Sequence, residues 1–345
     1  MRWDDQLLKP PDGETVELPL FNQNAVVRRF YTPEFAGMAF YEVQAKSIIN
    51  HLAHERFGFR HTINPYRGCS HACVYCFARP THTYLDFDAG RDFETKIVVK
   101  TNAPELLRKE LRGRSWSGEH IAMGTNTDNY QRAEGRYRLM RGILSELNAA
   151  RNPYSILTKS TLIQRDLDLL VEGAKVTDVS TAFSVGTIDE EVWQKSEPGT
   201  PHPLKRLEVV RRLNEAGVRC GVLMAPILPG ISDSPEQLKA TVDAVAAAGA
   251  ASITPITLYL RPGFREEFML WLSDAYPELV TDYGRMYRTS NAPKPVTQAI
   301  QQRVERLKGA HSWQYRPRPD SHRTASPKKG RKSAGNLQLS LGLEQ

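Results

Sequence analysis

The sequence predicts an α/β protein built on a parallel sheet. Three observations carry the prediction. Six short apolar segments read as strands, and helix-like segments separate them in alternation. Proline opens and glycine follows several of those helices, the expected asymmetry of helix ends. A chain of 345 residues, 40% apolar and 25% charged, can bury a sizeable core, as one large α/β domain or two smaller ones.

The elements follow in order. Residues 1–58 read as a lead-in with Pro-rich and polar stretches, of which 41–54 has a helical pattern. Segment 60–65 is a short β-branched run that ends at Pro65, a strand signal. A long loop runs to about Asp92. Segment 104–111 is helical with Pro104 at its start. Segment 119–124 reads as a strand and 133–150 as a helix. Segment 154–158 is a strand, followed by a helix over 161–172. Segment 176–185 is a strand with small residues at its end. Residues 203–216 form a helix that Gly217 stops. Segment 218–225 is an apolar strand. Residues 234–248 form a helix with Pro235 near its start and Gly249 just past its end. Segment 252–257 is the last strand.

Six strands joined by five helical crossovers imply a parallel sheet with helices covering it. Six units fall short of an eight-fold barrel. The pattern alone is compatible with a partial barrel or an open doubly wound sheet. Residues 261–308 add a mostly helical region. From Arg316 onward, Arg-Pro-Arg-Pro followed by Ser, Lys and Gly signals disorder.

Charge is distributed unevenly. The formal net charge is +7, but residues 316–345 hold seven basic and two acidic residues, a net +5 that leaves +2 for residues 1–315. The body is therefore near neutral, and the basic character belongs to the tail. The opening Met1-Arg-Trp-Asp-Asp-Gln lacks the basic and apolar runs of a signal peptide. No window approaches the roughly 18 apolar residues of a membrane span. The four cysteines include three too close together for a disulfide framework. These features predict a cytoplasmic protein with no membrane partner.

Those three cysteines, Cys69-Ser-His-Ala-Cys73-Val-Tyr-Cys76, are spaced C-x3-C-x2-C and place three thiolates on one tight loop. A zinc site would pair C-x2-C with a distant second pair, and Cys220 is the sole further cysteine. His71 is a fourth zinc ligand only if the loop turns it inward instead of into solvent. A redox C-x-x-C leaves Cys69 unexplained. An electron-transfer ferredoxin would carry a fourth cysteine nearby. A cubane [4Fe–4S] cluster on three cysteines leaves one iron free to bind a small molecule, which a catalytic cluster needs.

The motif, with Tyr75 just before the third cysteine, resembles the signature of radical S-adenosylmethionine (SAM) enzymes. The wider segment from Asn64-Pro-Tyr-Arg-Gly-Cys to Cys-Phe-Ala-Arg79 is similar to the spore photoproduct lyase-like branch and its uncharacterised bacterial relatives, over roughly residues 41–288. The resemblance implies a partial (βα)6 TIM-like barrel over 59–260. Around it lie an N-terminal extension (1–58), a C-terminal helical region (261–315) and a disordered basic tail (316–345). It implies an enzyme whose [4Fe–4S] cluster, on Cys69, Cys73 and Cys76, chelates SAM and cleaves it with one electron. The products are methionine and a 5′-deoxyadenosyl radical that abstracts a substrate hydrogen. It also implies a reductase partner such as flavodoxin or ferredoxin. DNA repair is the family analogy for the substrate; modification of RNA, a peptide or a small molecule is the alternative enzyme reading. A cluster- or zinc-binding nucleic-acid adaptor is the non-enzyme alternative.

Ligands of parallel α/β folds sit at the carboxyl ends of strands. There lies Gly124-Thr125-Asn126-Thr127-Asp128, in the place of the family's Gly-Gly-Glu-type motif. Thr125 and Asp128 are its candidates for the methionine ammonium; the plain alternative is an Asx turn capping the next helix. Lys159 is the candidate for the methionine carboxylate and Ser184 for ribose. Segment 226–231 is similar to the family's adenine-contacting stretch. Glu197-Pro-Gly-Thr-Pro-His-Pro reads as a substrate loop or as a rigid connector. Photoproduct lyases use a further cysteine as hydrogen-atom donor, and Cys220, early in an apolar strand, reads instead as core. The basic tail is suited to phosphate neutralisation or simple solubility. Its Gln338-Leu-Ser-Leu-Gly-Leu343 resembles the peptide by which bacterial replication and repair proteins dock on the sliding clamp.

Overall fold

The computed structural model describes residues 15–18, 23–52, 59–311 and 313. Its strands are β1 (Thr15–Leu18), β2 (Gln23–Arg28), β3 (Ala39–Val43), β4 (Ile49–His51), β5 (His61–Ile63), β6 (Tyr66–Arg67), β7 (Lys96–Lys100), β8 (Ile121–Met123), β9 (Tyr154–Thr158), β10 (Val179–Ser184), β11 (Arg219–Ile227) and β12 (Ile253–Thr257). All six expected parallel strands form. They lie side by side in chain order, β5-β8-β9-β10-β11-β12, and antiparallel β4 flanks β5. Among the described residues no pairing joins β12 to β4, so the ladder is open, as a partial barrel is.

The crossovers are helical as expected: α1 (Arg91–Thr95), α2 (Ala103–Leu111), α3 (Arg132–Tyr137), α4 (Leu139–Ala149), α5 (Leu167–Val176), α6 (Glu190–Ser196), α7 (Pro203–Glu215) and α8 (Pro235–Ala247). Ser234 caps α8 by accepting from the Gln237 amide, the role its hydroxyl suits. The expected helix 133–150 is two helices. Arg138 takes the left-handed conformation between α3 and α4, and the buried Glu134 carboxylate accepts from the Leu139 and Met140 amides at 3.0 and 3.1 Å. A side-chain carboxylate thus replaces the carbonyls that would continue the helix.

Register and the two-residue period of strands separate the sheet's two faces. Ile121, Tyr154, Ile156, Phe183, Val222 and Ile253 share one face and cluster with helix residues such as Leu144, Leu170, Val210 and Val242. The other face carries Thr62, Ala122, Ser155, Ser180, Ala182 and Thr254, small or polar, together with Leu157 and Leu223, and most of these are half-buried. The first face is the core under the helices; the second lines the lumen.

The lead-in differs from its reading. Of the 41–54 stretch, the described residues 41–52 are not helical but hold the end of β3 and all of β4. Five strands, in the order β1-β2-β3-β7-β6, form a second sheet. β3 runs parallel to β7, more than fifty residues away. That non-local pairing overrides the local helical pattern, as tertiary context commonly does for strand preference.

The C-terminal region is helical as expected, with α9 (Arg265–Ala275), α10 (Val280–Met286) and α11 (Lys294–Lys308). Phe264, Phe268, Leu272, Tyr283 and Tyr287 cluster with Cys73 and Tyr75. This region is therefore a wall of the cysteine loop. The tail 316–345, with its clamp-type peptide 338–343, lies outside the described residues. Among the described residues no helix is long and apolar enough to cross a membrane.

Candidate active site

The cysteine loop leaves the sheet after β5, at the carboxyl end of the parallel strands. β6 pairs with β7 and sets its starting point. Gly68 then turns the chain with φ +78°, and a side chain there would meet the Phe93 carbonyl at 2.9 Å. The Cys69 amide donates to that carbonyl at 2.8 Å.

Three other segments clasp the loop. After β8, Thr127 Oγ1 and Gln131 Nε2 donate to the Gly68 carbonyl at 2.7 and 2.8 Å, and Gln131 Oε1 accepts from the Ser70 amide at 3.0 Å. After β10, the Val74 amide donates to the Ser196 carbonyl and the Gly199 amide to the His71 carbonyl. A Cβ on Gly199 would lie 2.3 Å from the Ser70 oxygen, so only glycine permits this approach. Finally, Arg79 donates through Nε and Nη2 to the Cys73 carbonyl at 3.2 and 3.1 Å and pairs with Glu94.

Cys69 and Cys73 are buried and Cys76 half-buried. Burial pushes the Cys69 thiol well above its ordinary value, with Asp128 adding to the shift. Burial pushes Cys73 up to about 12, against the pull of nearby Lys159. Ligation takes thiolates, so metal binding here releases protons.

Asp128 sits beside the loop with both oxygens engaged. Oδ1 accepts from the Tyr130 amide and Thr158 Oγ1 at 2.8 and 2.7 Å. Oδ2 accepts from the Lys159 amide at 2.7 Å and meets His71 Nδ1 at 3.3 Å. Burial alone would raise its pKa, but His71 and these donors hold it down at about 2. The Tyr130 contact is the expected Asx turn, and the other three tie two strand ends to the cysteine loop. His71 is buried, not solvated, and faces Asp128.

Lys159 follows β9, and its Nζ lies 5.5 Å from the centre of the Tyr75 ring. Burial would lower its pKa; Cys73 and Glu197 raise it above the ordinary value, so it is a cation at neutral pH. The Tyr75 hydroxyl donates to Glu197, which also pairs with the fully buried Arg206. Arg206 further donates to the Ser184 carbonyl at 3.0 Å and to Thr200 Oγ1 at 2.5 Å. Burial would raise the Glu197 carboxyl, yet Arg206 and Lys159 bring it below its ordinary value. The Glu197 segment is thus a rigid connector locked onto the cysteine loop. Thr125 accepts from Asn64 Nδ2 at 3.3 Å, leaving its own proton free. Ser184 is buried at the end of β10 and donates to the Ala225 carbonyl at 2.7 Å.

The residue set fits a cluster with one open position. Among the described residues, no three His, Cys, Asp or Glu are grouped to hold one metal ion; a cubane does not ask for this, since each thiolate binds a different iron. His71 is turned to Asp128. Cys220, fully buried, is in register with Thr181 and shares the helix-covered face with Val222, two residues further along β11. Of these residues the sequence reading gave no role to Arg79, Gln131 or Arg206, and none to Glu197 beyond its loop. Only the spacing Glu197-Pro-Gly marked that loop.

Fold and loop together place three closely spaced cysteines at the open mouth of a parallel α/β partial barrel. The model of the Radical SAM superfamily matches residues 63–245, and the chain belongs to that superfamily. It is therefore an enzyme, and the family implies SAM and an iron–sulfur cluster as its cofactors. An uncharacterised protein of Mycobacterium tuberculosis, Rv2578c, is 46% identical over 326 residues, covering 92% of this chain and 96% of its own. A spore photoproduct lyase complexed with dinucleoside spore photoproduct has a similar fold, with TM-score 0.61 at 15% identity over 79% of both chains. A mutant of that lyase with bound AdoMet and dinucleoside spore photoproduct gives 0.59 at 14% over 78% of both.

Proposed function

We propose that this chain is a cytoplasmic radical SAM enzyme whose [4Fe–4S] cluster is held by Cys69, Cys73 and Cys76, and that it acts on nucleic acid, with DNA repair as the nearest analogy. One observation supports the reading: the three-cysteine loop sits at the carboxyl end of the parallel strands, while the fourth cysteine, Cys220, lies in the helix-covered core. When bound, cluster and SAM supply a one-electron cleavage to methionine and a 5′-deoxyadenosyl radical that abstracts a substrate hydrogen.

The chain's own residues hold and orient. Lys159 offers a cation to the methionine carboxylate, and the Tyr75 ring beneath it fixes its position. Thr125 faces the ammonium with its free hydroxyl. Asp128 supplies negative charge there while bracing Lys159 through its amide. Ser184 keeps its lone pairs for a ribose hydroxyl. Cys220 faces the helices and is no hydrogen-atom donor to the lumen, so the lyase reaction is not carried over with the fold. A reductase such as flavodoxin or ferredoxin supplies the electron, and the tail peptide 338–343 is proposed as a sliding-clamp anchor.

Anaerobic reconstitution tests the reading. The wild type should bind about four irons per chain and release 5′-deoxyadenosine on reduction with SAM. Alanine at Cys69, Cys73 or Cys76 should abolish both. Zinc in place of iron, or no nucleoside from an intact reduced cluster, would sink it. A clamp pull-down with and without residues 338–343 checks the anchor; unchanged capture removes it.

A further inference from the structure

Three arginines are embedded around the barrel mouth, and two of them have their anion. Arg79 pairs with Glu94, and Arg206 with Glu197. The third, Arg261, follows β12. Its Nη1 is buried without a hydrogen-bond partner, and no carboxylate pairs with it among the described residues. Four residues earlier, at the end of β12, Thr257 Oγ1 is also buried and unpartnered.

The backbone that carries both is pinned. The Leu258 amide donates to the Ile227 carbonyl at 3.0 Å, and the Leu260 amide to the Ser290 carbonyl at 2.8 Å. Tyr287 donates to the Leu258 carbonyl at 3.1 Å. Leu258, Leu260 and Phe264 share a cluster with Cys73 and Tyr75. The Phe264 ring also lies 6.0 Å from the Arg79 guanidinium that grips the cysteine loop. Arg261 therefore stands on a rigid segment bordering the site.

A buried guanidinium N–H without an acceptor is costly, and such groups are rare in native proteins. The Arg261 donor stands just past the carboxyl end of β12, the end of a parallel α/β sheet where ligands sit, and it suits an oxyanion with several acceptor oxygens. Guanidinium binds phosphate through parallel hydrogen bonds. Just below the mouth the lumen face presents uncharged groups, Leu157, Ala182 and Leu223, which suit a sugar and base better than a charged side chain; Arg219 lies on the same face at the opposite end of β11.

Resting on the radical SAM reading of the site, we infer that Arg261 anchors a phosphate of a nucleotide-type substrate whose uncharged part enters the lumen. Arg261 is a substrate-binding residue and takes no part in holding the cluster.

The test uses the oxidised, cluster-loaded full chain and a fluorescent oligothymidylate, read by anisotropy. Arg261→Gln should weaken binding at least about 10-fold and lower the salt slope by about 1, while iron content and SAM binding stay unchanged. Arg261→Lys should recover part of the loss. Arg211→Gln, which removes a surface charge paired with Glu215 on α7, should change nothing. Competition by thymidine monophosphate as strong per phosphate as by the oligomer identifies a free nucleotide as the source; competition by the oligomer alone identifies a strand. Wild-type affinity in Arg261→Gln, an equal loss in Arg211→Gln, or equal competition by an acidic peptide overturns the inference. Binding needs no turnover. Intact Arg261-dependent binding without 5′-deoxyadenosine would fail the radical reading alone. Turnover with unchanged Arg261→Gln binding would fail the anchor alone.

Discussion

On the helix-covered face of the parallel sheet, Ile121, Tyr154, Phe183 and Val222 are at most 1% exposed and belong to one cluster with the helices. At neighbouring positions of the same strands, Ser155, Leu157, Ser180 and Leu223 face the lumen and stay half-buried. One set of strands thus serves two purposes. Large branched and aromatic side chains on one side supply burial energy. On the other side, serines such as Ser155 and Ser180 beside Leu157 and Leu223 stay half-buried and leave room and hydrogen-bonding capacity for a ligand. The difference teaches that stability and binding are separated here by a two-residue period, not by distance along the chain.

The comparison breaks most visibly at Phe183. Phe183→Ala should cost about 3–5 kcal/mol of unfolding free energy by urea titration. Its effect on SAM cleavage per folded, iron-loaded molecule should be slight. A normal stability with lost cleavage would mean the two faces are assigned the wrong way round.

A middle-sized effect lies at the mouth, where Asp128 ties strand ends to the cysteine loop. Its pKa falls from the ordinary 3.8 to about 2 on folding. A depressed carboxyl contributes stability that is present above its unfolded pKa and is lost as pH falls through its folded one. Asp128 should therefore contribute about 2 kcal/mol at pH 7, fading between about pH 4 and pH 2. Asp128→Asn should be less stable than wild type by that amount at neutral pH, and the gap should close on acidification. A gap that persists in acid would show that the lost hydrogen-bond geometry, not the charge, is responsible.

The smallest effect belongs to Cys220, a thiol on the core face whose pKa burial raises to about 12. Cys220→Ala should cost about 1 kcal/mol and leave 5′-deoxyadenosine release and its coupling to product unchanged. Loss of product with normal nucleoside release would place this cysteine at the lumen after all.

The six parallel strands were legible because each is a short apolar run bounded by turn residues, and the helices because Pro203, Gly217, Ser234, Pro235 and Gly249 mark their ends. The thiolate set was legible because all its members lie within eight residues. The clasp around it was not. Gln131 lies about sixty residues from the glycine and serine it holds, and Glu197 lies more than a hundred from Tyr75. A glutamine or glutamate in a loop carries no local sign of a partner that distant. The second sheet escaped for the same reason, since β3 finds β7 only after the chain has folded back.

By itself the sequence determined the alternation of strands and helices, the three-cysteine loop and the strand end at which each mouth residue sits, because periodicity, end signals and short spacings are local properties of the chain. Only the tertiary structure decided which residues meet. It turned His71 to Asp128 and Cys220 to the helices, joined Glu197 to Tyr75 and Arg206, and left Arg261 Nη1 buried without an acceptor among the described residues. Those outcomes depend on register and on desolvation, and both exist only once distant segments are packed together.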